Sequence, residues 1–279
     1  MLVTDLDGTL LDSTGRVHRS DAEAISLLQR RGIPVCICTG RMYSGTRQIA
    51  QQLQLEGPVA CVDGSHIVQV STRTDLFAAT LDNEAAEQLR QLLAQVNLAT
   101  FAFASDTIVH DPTGHRYLAY LRTWSERTVA VKNVTSIEGW STLQQLSAIV
   151  ALGDKTEVDA VIAGLAAAPP SSLPKQLQTA TFPLRLSGKN NGWALLVRRA
   201  DIDKGTATEW LAKYHGVTLD QVVAVGDWVN DVPMFRVAGK SYVMSQAPEE
   251  VRGAATHVLE ASIQVGGGIR EAAERSGLL

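Results

Sequence analysis

Three short stretches of this chain, Ile33–Thr39 (IPVCICT), Val59–Val62 (VACV) and Val222–Val225 (VVAV), are apolar almost throughout. Each is too short for a buried helix and rich in valine and isoleucine, the pattern of a strand covered on both faces. Such strands belong to parallel sheets, because crossover helices must bury both sides. The intervening segments supply those helices. Ile25 and Leu28 form one apolar stripe, with Ser20 and Glu23 read as a capping box and Gly32 as the stop. A second helix is expected near Ser44–Leu53, followed by a Gly57-Pro58 turn. Leu2–Thr4 reads as a first strand, expected to be short because only four residues precede Asp5. The opening is therefore βαβαβ, a parallel sheet with right-handed crossovers.

From about Ala79 to Ala200 the pattern becomes more amphipathic. A helix is expected over Glu84–Val96, with Leu89, Leu92, Leu93 and Val96 on one face, and FAFAS and TIVHD form a hairpin. Ser147–Leu152 reads as a strand, Glu157–Ala167 as a helix, and Ala168–Pro174 (APPSSLP) as a loop. The Asn-Gly pair in Lys189–Gly192 predicts a hairpin turn between RLSG and WALLVR. After Asp201 the βαβ pattern returns: a helix over Thr206–Tyr214, VVAV, a short helix at Val232–Val237, SYVM, THVL and a last helix. The fold class expected is α/β, a doubly wound Rossmann-like parallel sheet interrupted by an inserted α/β domain. The expected boundaries are residues 1–79 and 201–279 for the core and 80–200 for the insertion.

At 279 residues the chain can bury a large core, and 45% apolar with 19% charged residues is an ordinary globular balance. The net charge of −4 comes with interspersed signs, so no basic stripe proposes a nucleic-acid partner. No apolar run reaches the ~18 residues of a membrane span, and no signal peptide precedes Asp5, so no membrane partner and a cytoplasmic location are expected. Cys36, Cys38 and Cys61 sit in apolar runs and read as buried, reduced thiols. Nothing in the sequence speaks to oligomeric state.

The polar residues fall where the strands stop. The runs end at Asp5, at Thr39-Gly40-Arg41, at Asp63-Gly64 and at Gly226-Asp227. In an open parallel sheet ligands bind beyond the carboxyl ends of the strands, where the strand order reverses, so these residues are expected to converge. Asp5, Asp7 and Asp227 together would repel one another unless a cation neutralised them. Hard oxygen donors suit Mg²⁺, which usually meets a phosphate as well. Thr39 offers a hydroxyl and Gly40 an unobstructed N–H to phosphate oxygens. Lys204 adds positive charge, and Asn230 and Asp231 open a helix whose N-terminus favours anions.

These residues resemble the haloacid dehalogenase superfamily, on DLDGT (Asp5–Thr9), TGR (Thr39–Arg41), DKG (Asp203–Gly205) and GDWVND (Gly226–Asp231), in the family's order. The insertion between the third strand and Lys204 resembles the cap of subfamily IIB, the Cof-like hydrolases. The resemblance covers essentially the whole chain. It implies a Mg²⁺-dependent phosphatase acting on a small phosphorylated metabolite, a sugar phosphate foremost. It implies Asp5 as nucleophile and Asp7 as general acid and base, with Thr39 and Lys204 holding the phosphate. Leu6, Gly8, Gly40, Arg41 and Asn230 would border phosphate or substrate. The side chains of Asp5 and Asp227 and the carbonyl of Asp7 would bind the metal, and Asp231 would orient Lys204 or a metal-bound water. A phosphotransferase or phosphomutase would use the same aspartyl-phosphate, and a non-catalytic phosphometabolite-binding regulator could retain the same fold.

Other readings weaken on inspection. A calcium loop needs glycine where Leu10 stands, and a cysteine-phosphatase loop needs five residues between Cys and Arg, which neither Cys36 nor Cys38 has before Arg41. There is no HExxH and no GxSxG. Arg47 reads as a surface residue, and Trp124, Trp140 and Trp193 as packing residues of the insertion. Two stretches depart from the family's usual residues: Asp63-Gly64-Ser65, where Asn-Gly-Ala is common, and VMSQA (Val243–Ala247), where Gln246 replaces an Asn. Both bear on substrate preference more than on the chemistry.

Overall fold

The computed structural model describes residues 1–141, 143–167, 176–186 and 189–279. The chain divides into two compact units: Met1–Gly40, Thr46–Phe77 and Ile202–Leu279 form the first, Arg41–Gly45 and Ala78–Asp201 the second.

From the N-terminus, β1 (Leu2–Thr4), α1 (Arg19–Arg30), β2 (Val35–Ile37), α2 (Tyr43–Gln52) and β3 (Pro58–Cys61) follow one another. Two antiparallel strands then appear that the sequence did not announce, β4 (His66–Gln69) and β5 (Thr74–Ala78), giving a small sheet in the order β3-β4-β5. The second unit holds α3 (Asn83–Leu93), β6 (Ala99–Ala104), β7 (Thr107–His110), α4 (Leu118–Leu121), β8 (Thr128–Ala130), α5 (Ile137–Ser141), β9 (Leu146–Gly153), α6 (Lys155–Ala166), β10 (Leu177–Leu186) and β11 (Lys189–Arg199). The first unit resumes with α7 (Lys204–His215), β12 (Val223–Gly226), α8 (Val232–Val237), β13 (Lys240–Val243), α9 (Glu249–Arg252), β14 (His257–Val258) and α10 (Gly268–Ser276).

The main sheet runs β14-β13-β12-β1-β2, every pair parallel. Its apolar strands behave as expected of a doubly covered sheet: β1, β2 and β12 are buried at every position. Cys36, Ala224, Val243, Leu211, Met234 and Phe235 share one core cluster. The chain leaves β1 toward β2 and later returns to β12 on the other side, so the strand order reverses between β1 and β12. All three cysteines are buried, and none is in a disulfide.

The second unit is built on a sheet of order β10-β11-β9-β6-β7-β8, antiparallel except for β7 with β8. Leu89 and Leu93 of α3 and Val158, Val161 and Leu165 of α6 pack with Ile149, Leu195 and Val197 of the sheet, and Trp140 and Trp193 lie against this cluster. Trp124 meets Phe103 edge-on at 5.9 Å.

Two local expectations are corrected. Lys189–Gly192 is not a turn but the start of β11, with Lys189 opposite Leu186 and Asn190 opposite Arg185. The residues joining the two strands, and the Ala168–Pro174 stretch, lie outside the described residues. The register shift between Pro183 and Arg185 sets Asn191 and Gly192 against Leu184 alone, and Gly192 takes φ +118°. The Asn-Gly pair therefore marks a β-bulge, the other use of a glycine in a strand. Second, Ser20 and Glu23 form no capping box. His18 holds the cap position of α1 without a side-chain bond to the helix, and Glu23 pairs with Arg19 at 2.7 Å.

The acid that does cap a helix here is Asp21, and the helix is α10. Its buried carboxylate accepts the N–H groups of Gly267 and Ile269 at 2.9 Å and of Arg270 at 3.1 Å. Three donors that α10 cannot satisfy internally are thus met from α1. Asp21→Ala should lower unfolding stability by about 1–3 kcal/mol, the cost of stranding buried donors. Urea denaturation followed by circular dichroism checks this.

Candidate active site

At the carboxyl end of β1 the Asp5 N–H donates to the Val225 carbonyl at 2.9 Å, the last bond of that ladder toward β12. The chain then turns: Leu10 and Leu11 both donate to the Leu6 carbonyl, and Gly8 takes φ +89°. Gly8 has no substitute here, because a Cβ would run into the Asp227 carboxylate. Asp5 is buried, whereas Asp7 stands exposed.

Four of the sequence-selected residues meet. Lys204, at the start of α7 and fully buried, donates from Nζ to Asp5 Oδ1 at 2.5 Å and to Asp231 Oδ1 at 2.6 Å. The other Asp231 oxygen accepts the backbone N–H groups of Asp227 at 2.8 Å and Trp228 at 2.9 Å. Asp231 therefore closes the turn that carries Asp227. Thr9 donates its hydroxyl to Asp227 Oδ1 at 2.9 Å. Oxygens of Asp5, Asp227 and Asp231 lie within 4.8 Å of one another.

Thr39 is buried one residue past the Cys38–Ala60 bridge, donating its N–H to the Ala60 carbonyl at 2.9 Å. Its carbonyl accepts the Asp63 N–H, also at 2.9 Å. Gly40 follows beside Asp63, whose Oδ1 would lie 3.5 Å from a Cβ at that position. Asn230 donates from Nδ2 to Asp63 Oδ1 at 2.9 Å. Arg41 belongs to the second unit, where its guanidinium donates to the Gly45 carbonyl at 3.2 Å. Thr9, Asp63 and Gln246, outside the sequence-selected set, also bond to members of it; Gln246 donates to the Gly8 carbonyl at 2.7 Å and accepts from the Ile263 N–H at 3.0 Å. The signals were present, since Thr9 ends the DLDGT motif and Asp63 and Gln246 are the two departures from the family's usual residues.

The site concentrates negative charge around one buried ammonium. Burial pushes the Lys204 ammonium down, but the carboxylates of Asp231 and Asp5 outweigh it and hold the ammonium well above the ordinary lysine range. Burial pushes the Asp5 carboxyl well up. Lys204 pulls it back, and Asp231 and Asp227 push it up again. Asp227 is pushed up to about 7 by burial and by the Asp231 charge. One ammonium thus serves three clustered carboxylates. The donors are all hard oxygens, and the Asp5 and Asp227 carboxylates approach each other across the strand-order reversal, so the residues present fit a Mg²⁺ ion.

The profile of the family described as haloacid dehalogenase-like hydrolase matches residues 2–270. The chain belongs to the haloacid dehalogenase-like hydrolases. It is a phosphoric monoester hydrolase of that family. A phosphoglycolate phosphatase of Methanopyrus kandleri is 27% identical over 261 residues, covering 94% of this chain and 90% of its own. Pyridoxal phosphate phosphatase YbhA of Escherichia coli is 26% identical over 270 residues, covering 93% and 92%. Among solved structures, the subclass IIB sugar phosphatase BT4131 superposes with a TM-score of 0.77 at 19% identity, covering 100% of this hydrolase and 99% of that chain. No helix among the described residues is long and apolar enough to cross a membrane.

In this hydrolase Lys204→Met should cost about 3–5 kcal/mol of unfolding stability, because two buried carboxylates lose their counter-ion. A urea titration compared with wild type measures it.

Proposed function

We propose that this hydrolase is a Mg²⁺-dependent phosphatase of small phosphorylated metabolites, sugar phosphates foremost, working through an aspartyl-phosphate on Asp5. The observation that carries the reading is the buried Asp5–Lys204–Asp231 network at the strand-order reversal, with Asp227 alongside. The names of the similar proteins, a phosphoglycolate and a pyridoxal phosphate phosphatase, support a small phosphomonoester as substrate.

Asp5 is fixed by its backbone bond to Val225 and by Lys204, so one carboxylate oxygen is held while the other is directed at phosphorus. A positioned nucleophile removes much of the entropic barrier to attack. As the Asp5 O–P bond forms, the P–O bond to the leaving alcohol breaks, and Asp7 gives that alcohol its proton. Asp7 then takes a proton from water as the water oxygen attacks phosphorus. The acyl phosphate is cleaved, inorganic phosphate leaves and Asp5 is restored. The Lys204 ammonium, the Thr39 hydroxyl, the Asn230 amide and backbone N–H groups around Leu6, Gly8 and Gly40 bear on the charged phosphoryl oxygens. The carboxylates of Asp5 and Asp227, with the Asp7 carbonyl, would hold Mg²⁺. When bound, the ion supplies positive charge that offsets repulsion between nucleophile and phosphate. Asp231 has both oxygens committed, to Lys204 and to the turn after β12, and so acts by positioning. We propose residues 80–200 as the cap that selects the leaving group.

Asp5→Asn should abolish phosphate release from p-nitrophenyl phosphate, a loss of about 10³-fold or more, with an unchanged circular dichroism spectrum. Near-normal turnover would remove Asp5 from the nucleophile's role. Chelation with EDTA should stop phosphate release and added Mg²⁺ should restore it. Activity that survives exhaustive chelation would remove the metal from the mechanism. A screen of phosphorylated metabolites for phosphate release identifies the substrate.

A further inference from the structure

Past β3 the backbone takes an expensive path. Val62, Asp63 and Gly64 have φ of +49°, +51° and +104°. A β-branched residue in the left-handed region is a true outlier, and such strain persists only where the surroundings hold it. What the path delivers is a buried carboxylate. Asp63 is 4% exposed, its N–H donates to the Thr39 carbonyl, and its Oδ1 accepts from Asn230 Nδ2. Gly40 lies beside that oxygen, and the Asp63 charge reaches Lys204. One residue thus links the end of β2, through its backbone N–H, to the turn after β12, through its carboxylate.

We propose that Asp63 is a positioning residue: it orients the Asn230 amide toward the transferring phosphoryl group and does not itself touch substrate. This rests on the phosphatase reading above, in which Asn230 borders the phosphate. An ionised carboxylate can only accept hydrogen bonds, so it turns the NH₂ end of Asn230 toward itself and forbids the flipped amide. An amide at position 63 could meet either end of Asn230 and would leave the orientation two-fold. A carboxylate therefore gives Asn230 a single orientation, and its second N–H is presented in one direction.

The test is a double-mutant cycle on the full chain with Mg²⁺ and p-nitrophenyl phosphate, with orthovanadate inhibition as a measure of transition-state binding. Asp63→Ala should lower kcat about tenfold or more and weaken vanadate inhibition by a similar factor, with KM changing less than about threefold. Asp63→Asn should fall between Asp63→Ala and wild type. Adding Asp63→Ala to Asn230→Ala should cause no further loss, because the residue Asp63 acts through is already gone. If Asp63→Ala does not fold, the isosteric Asp63→Asn carries the same cycle. The side-chain NH₂ resonances of Asn230 give an activity-free readout: one well-shifted pair in the wild type, averaged or doubled in Asp63→Asn. Losses that add in the double variant, or unchanged vanadate inhibition in Asp63→Ala, would overturn the proposal. An inactive wild-type chain overturns the phosphatase reading together with it, whereas additive losses in an active enzyme overturn this inference alone.

Discussion

A buried ammonium organises this molecule. Lys204 is wholly removed from water, so its charge can persist only where fixed carboxylates surround it. Asp5 and Asp231 meet that demand, and each is anchored by its own backbone context. Asp5 sits on the last rung between β1 and β12, and Asp231 spends its second oxygen on the turn after β12. The start of α7, the end of β1 and the entry to α8 are therefore mutually constrained. Packing enforces the same constraint, because a Cβ on Gly205 would lie 2.8 Å from the Pro233 carbonyl. Electrostatics and close approach demand the same backbone geometry.

That geometry explains why residues from both ends of the chain share one site. The strand order reverses between β1 and β12, so the loops after those strands diverge to opposite faces and leave a crevice between them. Asp5 and Asp227 stand on its two sides. The arrangement concentrates negative charge, and the upward shifts of Asp5 and Asp227 are its signature. Such a site is poorly disposed to a phosphate dianion by itself. On the proposed reading, a divalent cation among the carboxylates, with Lys204 still charged, would make it complementary to one.

Much of this was legible in the sequence, and the parts that were not have physical causes. Buried parallel strands announce themselves by composition, which is why Ile33–Thr39 and Val222–Val225 located β2 and β12. The strand-end rule then brought Asp5 and Asp227 together without knowledge of any contact. Tertiary choices were not legible. Ser20 and Glu23 have the spacing of a capping box, but the neighbouring Asp21 is drawn to the start of α10, far away in sequence. The Asn-Gly signal at Asn191-Gly192 was real, yet glycine serves a bulge as well as a turn, and register with β10 decided for the bulge. The strands β4 and β5 carry little apolar alternation, and β5 is largely exposed, so nothing set them apart from a loop. Asp63 looked like one more polar strand end, since the left-handed conformation that turns it toward Asn230 has no sequence signature in a Val-Asp pair.

The two aspartates of DLDGT illustrate how one tight turn serves opposed requirements. On the proposed reading Asp5 is the nucleophile and must stay aimed and ionised; burial opposes its charge, so a fixed backbone and a cationic partner have to hold it. Asp5 has both. A group that gives up and regains a proton in each turnover needs access to the leaving group and to water, which calls for exposure. Asp7 has that. In a continuing strand the two side chains would share a face and an environment. Ending the strand at Asp5 and turning at Gly8 separates them, and the turn is feasible because glycine at φ +89° clears the Asp227 carboxylate. That separation is what the proposed roles of the two aspartates require.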